Sequence, residues 1–160
     1  MFNKLSFIDD KAIIANNVKI GPFCFIGKNV NIAKNCHIHN HVSITGNVTI
    51  GENSEIFPFA SIGSSPQDLK YKGEATTIKI GKNCNIREYV TINPGTNGGG
   101  KITSVGDNCL LMIGTHIAHD CRIGNNVIFA NHSTLAGHVI VEDNVVVGAL
   151  SAIHQFCRIG

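Results

Sequence analysis

The amino-acid sequence predicts an all-β fold, a parallel β-helix in which each coil consists of three short strands and three corners. Two observations predict it: a large aliphatic residue recurs every six positions, and the positions between have characteristic residue types. No helix repeats every six residues and a plain strand alternates every two, whereas six residues fit one strand and one corner. Three units would close a coil of about 18 residues, and about seven coils would stack into a prism roughly 34 Å tall.

The aliphatic repeat forms two arrays separated by interruptions. The first array is Ile8, Ile14, Ile20, Ile26, Ile32, Ile38, Ile44, Ile50, Ile56 and Ile62, and its phase resumes at Ile80, Ile86 and Ile92. The second array is Val105, Leu111, Ile117, Ile123, Phe129, Leu135, Val141, Val147, Ile153 and Ile159. We expect these residues to fill the interior of the prism.

The other positions of the repeat predict its corners. With the aliphatic residue as position 0, position 4 is a small residue that we expect to point inward, most often valine. Position 1 is often glycine, at residues 21, 27, 51, 63, 81, 106, 124 and 148. Position 3 is asparagine nine times, at residues 17, 29, 35, 47, 53, 83, 108, 126 and 144. Because glycine and asparagine tolerate left-handed backbone conformations, we expect both at corners.

Six cysteines would normally suggest disulfides or a metal site. All of them fall on position 4: Cys24, Cys36, Cys84, Cys109, Cys121 and Cys157. This common phase predicts that they are small buried residues with free thiols, which suits a reducing compartment.

Composition and charge exclude several classes of protein. Hydrophobic residues make up 43% of the chain and charged residues 15%, which is not the composition of a disordered tail. The net charge of +2 gives no strong nucleic-acid-binding surface. No apolar run approaches the roughly 20 residues of a transmembrane segment, and the N-terminus has no signal-peptide pattern. We therefore expect a soluble cytoplasmic protein with no nucleic-acid partner.

Two segments interrupt the repeat, and we expect them to leave the prism as loops. They span residues 64–79 and 95–104, and the second contains three consecutive glycines. Neither is long enough to be a domain, so we expect a single β-helix domain over residues 1–160. The chain ends at Ile159 and Gly160, the first two residues of a further repeat, so we expect a truncated or partial sequence.

Phasing brings four of the eight histidines to one edge. His119, Gly137 and Gln155 should form one column, and Asp120, His138 and Phe156 the next. We expect Asn93 one coil beneath Ala118, with His116 and His154 beside the same corner. The remaining histidines, His37, His39, His41 and His132, are expected only to replace asparagine at corners.

This edge has the residue types of a base-catalysed acyl transfer. His119 can act as a general base, Asp120 can fix its tautomer, and the Gly137 N–H can donate to an oxyanion. Cys121 and Ser133 are expected to point inward, so no covalent nucleophile is predicted. Zinc bound by His116, His119 and His138 is the alternative, although the His-x4-His pair of hexapeptide carbonic anhydrases is not present here.

Four spaced motifs make the sequence resemble the UDP-N-acetylglucosamine O-acyltransferases, which start lipid A biosynthesis in Gram-negative bacteria. The motifs are QDLKY (67–71), HIAHDC (116–121), TLAGHV (134–139) and IHQF (153–156). The resemblance implies left-handed coils, a homotrimer with sites between subunits, and no cofactor. It also implies transfer of an (R)-3-hydroxyacyl group from acyl carrier protein to the 3-hydroxyl of UDP-N-acetylglucosamine.

The resemblance also implies roles for individual residues. It places the base at His119, beside Asp120, with the Gly137 N–H at the oxyanion. Substrate-contacting positions match Gln67, Asp68, Lys70, His116, His138 and Gln155, and His154 matches a histidine near the site. We expect the loop 64–79 to leave from a different edge than His119, and thus to reach a neighbouring subunit.

Two departures from the family pattern affect these expectations. Asn93 and Pro94 stand where many members have His-Arg, so Asn93 is expected as an uncharged substrate contact. The helical C-terminal region of the family is absent from the sequence, and a non-catalytic β-helix fragment is therefore the alternative. The related UDP-3-O-acyl-glucosamine N-acyltransferase normally has a separate N-terminal domain that this sequence does not contain.

Overall fold

In a computed structural model, which describes residues 4–160, the chain forms short parallel strands in three sheets. Residues 1–3 of the expected domain lie outside the described residues. Sheet 1 contains β1 (Phe7–Ile8), β4 (Phe25–Ile26), β7 (Ser43–Ile44), β10 (Ser61–Ile62), β13 (Thr91–Ile92), β16 (His116–Ile117), β19 (Thr134–Leu135) and β22 (Ala152–Ile153). Sheet 2 contains β2 (Ile13–Ile14), β5 (Val30–Ile32), β8 (Asn47–Ile50), β11 (Thr77–Ile80), β14 (Ile102–Val105), β17 (Arg122–Ile123), β20 (Ile140–Val141) and β23 (Arg158–Ile159). Sheet 3 contains β3 (Lys19–Ile20), β6 (His37–Ile38), β9 (Glu55–Ile56), β12 (Asn85–Ile86), β15 (Leu110–Leu111), β18 (Ile128–Phe129) and β21 (Val146–Val147).

The strand register confirms the six-residue repeat. Each strand pairs in parallel with the strand one coil later in the same sheet, so that Ile8 lies opposite Ile26. The pairing continues across the interruptions, with Ile62 opposite Ile92 and Ile92 opposite Ile117. Most of these position-0 side chains are fully buried in one continuous core. Burying each contributes roughly 1.5–3 kcal/mol, so the stack of aliphatic residues accounts for the stability of the prism.

Both loops leave from the corner between sheets 1 and 2. The first joins β10 to β11, and the second joins β13 to β14 and contains a 3-10 helix, Asn97–Gly99. The strands after them begin at Thr77 and Ile102, so each loop is shorter than expected.

His119 lies at this same corner, between β16 and β17. The expectation that loop 64–79 leaves from a different edge is therefore wrong. An inserted loop does not change which strand comes next. After each loop the chain returns to sheet 2, as it would have done if the loop were absent.

Asparagine side chains form a ladder along the corner between sheets 2 and 3. Seven of the nine predicted corner asparagines have positive φ, from 56° to 63°, and their side chains bond from coil to coil: Asn17, Asn35, Asn53, Asn83, Asn108, Asn126 and Asn144. Asn29 and Asn47 instead flank strands of sheet 2 and lack this conformation. The asparagine signal is therefore specific to one of the three corners.

The position-1 glycines have a different cause from the one expected. Among them only Gly63 has positive φ. Most of the others pack tightly on the next coil, and a Cβ at Gly51 would lie 2.5 Å from the carbonyl carbon of Gly81. Close approach of the coils, rather than left-handed backbone, therefore requires glycine at residues 21, 51, 81, 106 and 124, whereas Gly27 and Gly148 have room for a Cβ.

The cysteines are free thiols, and five of the six are buried as predicted. Cys157 is exposed, which corrects the expectation for that residue, because no further coil packs over it within residues 4–160. Within residues 4–160, no helix has the length and apolar character that a membrane span requires.

Candidate active site

The candidate active site surrounds the β16–β17 corner, where Ala118, His119 and Asp120 connect sheets 1 and 2. Asp120 turns the chain with a φ of 60°, the conformation that asparagine adopts in the ladder. The glycine loop packs over this corner, since a Cβ at Gly99 would overlap the Asp120 carboxyl group. A buried carboxylate is thus enclosed by backbone on one side.

Asp120 is held by hydrogen bonds from the second loop. Its Oδ1 accepts from the Thr96 backbone N–H at 2.9 Å, and its Oδ2 accepts from the Thr96 hydroxyl at 2.6 Å. Its own N–H donates to Thr103 Oγ1 at 2.8 Å. Asp120 is only 4% exposed, so these bonds replace water around the carboxyl group.

His119 points one ring nitrogen at this carboxylate. Its Nδ1 lies 2.8 Å from Asp120 Oδ2, and its side chain is 14% exposed. When Nδ1–H donates to the carboxylate, Nε2 has a free lone pair that faces away from Asp120. The pair has the arrangement of an oriented general base.

Gly137 provides the space that the His119 ring occupies. A Cβ at position 137 would lie 2.5 Å from His119 Cε1 and 2.6 Å from Nε2. Among residues 4–160, no hydrogen-bond acceptor is recorded for the Gly137 N–H. A backbone donor with no acceptor in the described part of the chain therefore lies next to the His119 ring.

His138 and Phe156 continue the column above Asp120. The His138 ring meets the His119 ring edge-on at 5.0 Å and stacks on Phe156 at 4.5 Å. His138 Nε2 lies 4.0 Å from Asp120 Oδ2. The predicted column of Asp120, His138 and Phe156 is thus present, and Phe156 packs on the His138 ring.

His116 lies on the neighbouring strand β16 and is a neutral group of the site. Its Nδ1 lies 2.7 Å from Thr91 Oγ1, a strand neighbour one coil below. Burial lowers the pKa of His116, and the nearby His119 lowers it further. His116 therefore has an uncharged ring at neutral pH.

Asn93 lies one coil beneath Ala118, as the phasing predicted. Its Nδ2 donates to the Ser64 carbonyl at 3.1 Å, which attaches the first loop to the prism. Its Oδ1 is buried and has no hydrogen-bond partner within the described part of the chain. An unsatisfied buried acceptor is costly, and a ligand donor could satisfy it.

Two cavities lie beside the corner. The strand-side cavity, about 410 Å³, is lined by Gln67, Asn93, His116, Ala118, His119, Thr134, Leu135, Ala136 and Gly137. The loop-side cavity, about 450 Å³, is lined by Asp68, Lys70, Lys72, Glu74, Thr96, Asn97, Gly98, His138 and Phe156. Gln67, Asp68 and Lys70 are therefore brought to the corner of their own chain.

Glu74 connects the two loops. Its carboxylate accepts from the Lys72 N–H at 2.8 Å and from the Asn97 N–H at 3.2 Å. These backbone hydrogen bonds, with the one from Lys72 the largest contribution, lower the pKa of Glu74. Glu74 thereby fixes the loop that contains Asp68 and Lys70 against the loop that contains Thr96.

His154 and Gln155 are on the last coil and are exposed. His154 Nδ1 lies 3.3 Å from the carbonyl of Gln155, and neither side chain lines the two cavities. The structure does not bring these two predicted residues into contact with His119.

The side chains nearest to a metal-ligand arrangement at this corner are His119, Asp120 and His138, whose ligand atoms lie within 4.8 Å of one another. The three-histidine set considered from sequence differs from this one. His116 is directed to Thr91 and is not part of the group.

Sequence reasoning missed the residues that hold Asp120. Thr96 is a hydroxyl residue inside a glycine-rich loop, and this was the available signal. Thr103 gave no signal, because its inward position also has serine or threonine elsewhere in the repeat, at Ser54, Thr115 and Ser133. Glu74 carried no such signal, because it lies in a polar loop with no fixed phase.

The repeated strands and the corner define a class before any comparison of whole chains. Residues 102–137, which contain most of this corner, match the family model described as bacterial transferase hexapeptide (six repeats). The repeated strands are therefore similar to those of the hexapeptide-repeat transferases.

Similar proteins narrow the class to one family. An acyl-[acyl-carrier-protein]–UDP-N-acetylglucosamine O-acyltransferase from Aliarcobacter butzleri is 60% identical over 99% of this chain and 61% of its own length. A solved UDP-N-acetylglucosamine acyltransferase is 50% identical with a TM-score of 0.98, over 99% of this chain and 61% of that one. The UDP-N-acetylglucosamine acyltransferase of Bacteroides fragilis is 36% identical with a TM-score of 0.74, over 96% of this chain and 68% of that one.

The chain belongs to the UDP-N-acetylglucosamine acyltransferase family. Mirror-image coils would not superpose at a TM-score of 0.98, so the expected left-handed β-helix is confirmed. The chain spans about 61% of the length of the Aliarcobacter relative.

Proposed function

We propose that this protein transfers an (R)-3-hydroxyacyl group from acyl carrier protein to the 3-hydroxyl of UDP-N-acetylglucosamine, the first step of lipid A biosynthesis. The observation that carries the proposal is the His119–Asp120 pair, with its 2.8 Å contact beside a glycine whose N–H is free. An oriented imidazole base and a backbone donor, with no nucleophile between them, suit direct attack by a hydroxyl.

The proton transfers follow from this arrangement. His119 Nδ1–H donates to Asp120, so Nε2 accepts the proton of the sugar 3-hydroxyl as its oxygen attacks the thioester carbonyl carbon. Asp120 stabilises the resulting imidazolium without taking the proton itself. When the tetrahedral intermediate collapses, the carbon–sulfur bond breaks and His119 returns the proton to the departing thiolate. The products are the 3-O-acyl sugar nucleotide and the free thiol of the carrier protein.

The developing oxyanion needs a donor at the same point. The Gly137 N–H lies beside the His119 ring and has no recorded partner within residues 4–160. A donor already in position requires little reorganisation as negative charge forms, and one such donor typically contributes a factor of about 10²–10³ in kcat. We assign this role to Gly137.

The two cavities suit different parts of the substrates. The loop-side cavity presents Lys70 and Lys72 together with Asp68, which are groups that can bind the hydroxyls and phosphates of a sugar nucleotide. In the strand-side cavity, the unpartnered Asn93 Oδ1 can accept from a sugar hydroxyl or amide. Gln67 and His116 line the same cavity and can contact the acyl donor or the sugar.

His138, His154 and Gln155 complete the proposed substrate contacts. His138 faces the loop-side cavity. His154 and Gln155 lie on the exposed final coil, where a second subunit or a substrate could cover them. We also propose the homotrimer that the four motifs imply, and sedimentation of the purified protein would test it.

The experiment is acyl transfer from 3-hydroxyacyl carrier protein to UDP-N-acetylglucosamine, measured for the unmodified chain and for His119→Ala. His132→Ala is the control, because it removes an exposed imidazole from another corner, the one between sheets 3 and 1. Loss of a general base lowers kcat by roughly 10²–10⁴, whereas the control should remain within twofold.

Each outcome has a distinct meaning. Equal activity of His119→Ala and the unmodified chain would contradict the assignment of the base. No product from the unmodified chain, with a full-length relative active in the same assay, would instead support a non-catalytic β-helix fragment.

A further inference from the structure

A second group of histidines lies on sheet 3, opposite the candidate active site. His37 is in β6 and pairs in register with Glu55 of β9, one coil above. His39 follows β6 on the same outward face, because Ile38 between them points into the core. The expectation that His37 and His39 merely replace corner asparagines is therefore wrong, since neither has the positive φ of a corner.

The other two histidines, His41 and His132, do occupy corners as expected. His41 and His132 have φ values of 58° and 57° and occupy the corner between sheets 3 and 1. His41 stacks between Phe23 and Phe59 and does not belong to the group of His37, His39 and Glu55. His41 is only two residues from His39 in the sequence but lies outside the cluster, so it is a suitable control residue.

The ligand atoms of the sheet-3 cluster converge. His39 Nε2 lies 2.7 Å and His37 Nδ1 lies 3.4 Å from Glu55 Oε1. One ligand atom from each of the three residues lies within 4.8 Å of the others. Ligands of a tetrahedral zinc ion, at 2.0–2.1 Å from the metal, are about 3.3 Å apart, so small side-chain movements would complete the geometry.

Packing holds the two rings in place. The His37 and His39 rings lie 4.0 Å apart, and His39 stacks on Phe57 at 4.7 Å. The Arg87 guanidinium packs on the Phe57 ring, with its central carbon 4.4 Å from the ring centroid. Ligands that are already ordered lose less conformational entropy when a metal binds.

The local charges permit a cation. The Glu55 carboxylate supplies negative charge, and Arg87 is paired with Glu88 at 2.9 Å. Lys19, the strand neighbour of His37, opposes a cation but carries its charge on a long exposed side chain.

We propose that His37, His39 and Glu55 form a binding site for a divalent transition metal, with Zn²⁺ as the ion that their chemistry suits best. Two imidazoles and one carboxylate are a common zinc ligand set, and a fourth position would be open to water. The site is on a different sheet from His119 and several coils away from it. A bound ion would cross-link β6 to β9 and so stabilise the fold.

The test is a calorimetric Zn²⁺ titration at pH 7.5 of three variants made in a His119→Ala background. That background removes one ligand from the other group of potential metal ligands found within residues 4–160, His119, Asp120 and His138. We expect one Zn²⁺ per chain with a dissociation constant on the order of 1 μM in the background protein, as three ligands at a partly exposed site allow. His39→Ala or Glu55→Gln should weaken binding at least tenfold, and His41→Ala should leave it unchanged.

Thermal melts with and without Zn²⁺ give a second measurement, which separates loss of the site from loss of the fold. Zn²⁺ should raise the melting temperature of the His41→Ala protein but not that of a folded His39→Ala protein. Equal affinity in the His39→Ala, Glu55→Gln and His41→Ala proteins would overturn the proposal. Absence of any binding in the His119→Ala background would overturn it as well.

Discussion

The corner between sheets 2 and 3 and the corner between sheets 1 and 2 use one backbone conformation for different purposes. At the first, Asn108, Asn126 and Asn144 have φ values of 57° to 63° and bond to one another. At the second, Asp120 and His138 have φ values of 60° and 63°, and their side chains face the two loops. The left-handed turn is common to both, so the chemistry depends on the side chains alone.

The difference teaches where this fold accepts an unfavourable residue. Left-handed backbone costs a residue such as histidine or phenylalanine roughly 1–2 kcal/mol, and asparagine less. His138 and Phe156 occupy such positions although the repeat offers asparagine elsewhere. Such residues do not mark a site by themselves, because His41 and Phe59 also have positive φ at the corner between sheets 3 and 1. What distinguishes Asp120 and His138 is their surroundings: Thr96 of the second loop bonds to Asp120, and His138 lines the loop-side cavity.

The largest effect should come from filling the space beside the base. Gly137→Ala would place a Cβ 2.5 Å from His119 Cε1, and the ring would have to move. We expect a loss of roughly 10²–10⁴ in kcat/KM with the fold retained, because the displaced atoms belong to a side chain. Gly148→Ala is the control, since its Cβ would meet only Ser151 Oγ at 3.4 Å. Equal activity of the two variants would show that the position of His119 does not matter.

A smaller effect should follow from releasing Asp120. Thr96→Val removes the hydroxyl that donates to Oδ2 at 2.6 Å, a hydrogen bond to a charged acceptor worth about 1.5–3 kcal/mol. We expect kcat to fall about tenfold or more, with KM little changed and a shifted pH profile, and Thr96→Ser should restore activity. Thr115→Val removes a buried hydroxyl that bonds only to the Met112 carbonyl, so it should leave the pH profile unmoved. An unshifted profile for Thr96→Val would contradict a positioning role.

The asparagine corner should respond in stability and not in activity. Asn83→Ala removes ladder bonds to Asn53 and Asn108 and puts alanine at a φ of 56°. We expect the free energy of unfolding to fall by about 1–3 kcal/mol in a denaturant titration. Glycine tolerates the positive φ, so Asn83→Gly loses only the ladder hydrogen bonds. Its free energy of unfolding should therefore fall less than that of Asn83→Ala. A variant at this position that abolished transfer while remaining folded would contradict the separation of the two corners.

The smallest effect concerns the cysteines that follow each corner. Cys109 follows the ladder and is buried, and burial raises the pKa of Cys121, beside Asp120, to about 11. Cys157 follows Phe156 and is exposed. Alkylation of the native 160-residue chain at pH 8 should therefore modify Cys157 alone, as measured by mass spectrometry, and all six thiols after unfolding. Rapid labelling of Cys121 in the folded protein would mean that the active corner opens.

The sequence was sufficient to predict the strands because one aliphatic residue in six is buried in every unit. It was also sufficient for the column of Asp120 and His138, because stacking follows directly from phase. The contacts of the loops could not be predicted from the sequence. Thr96 and Glu74 lie in segments without a repeat, so no phase indicates which residues they meet. The edge of loop 64–79 was mistaken for a related reason, because an insertion lengthens the chain without advancing the coil.

Local pattern also failed for His37 and His39. Their role depends on Glu55, which becomes a neighbour only when strands one coil apart are paired in register. Phasing applied to sheet 3 would have placed these residues together. The repeat also does not show why asparagine and glycine occur at different positions. Positive φ explains most of the asparagines, whereas close packing of neighbouring coils explains most of the glycines.

The most direct test of the account exchanges the residue that distinguishes the two corners. Asp120→Asn puts the residue of the ladder at the active turn, where it suits the φ of 60° but carries no charge. Acyl transfer and thermal unfolding would be measured on the same preparation. The account predicts that kcat falls at least 100-fold, since a neutral amide cannot stabilise the His119 imidazolium, while the protein remains folded. Full activity in the folded Asp120→Asn protein would contradict the claim that this corner differs from the others by its chemistry.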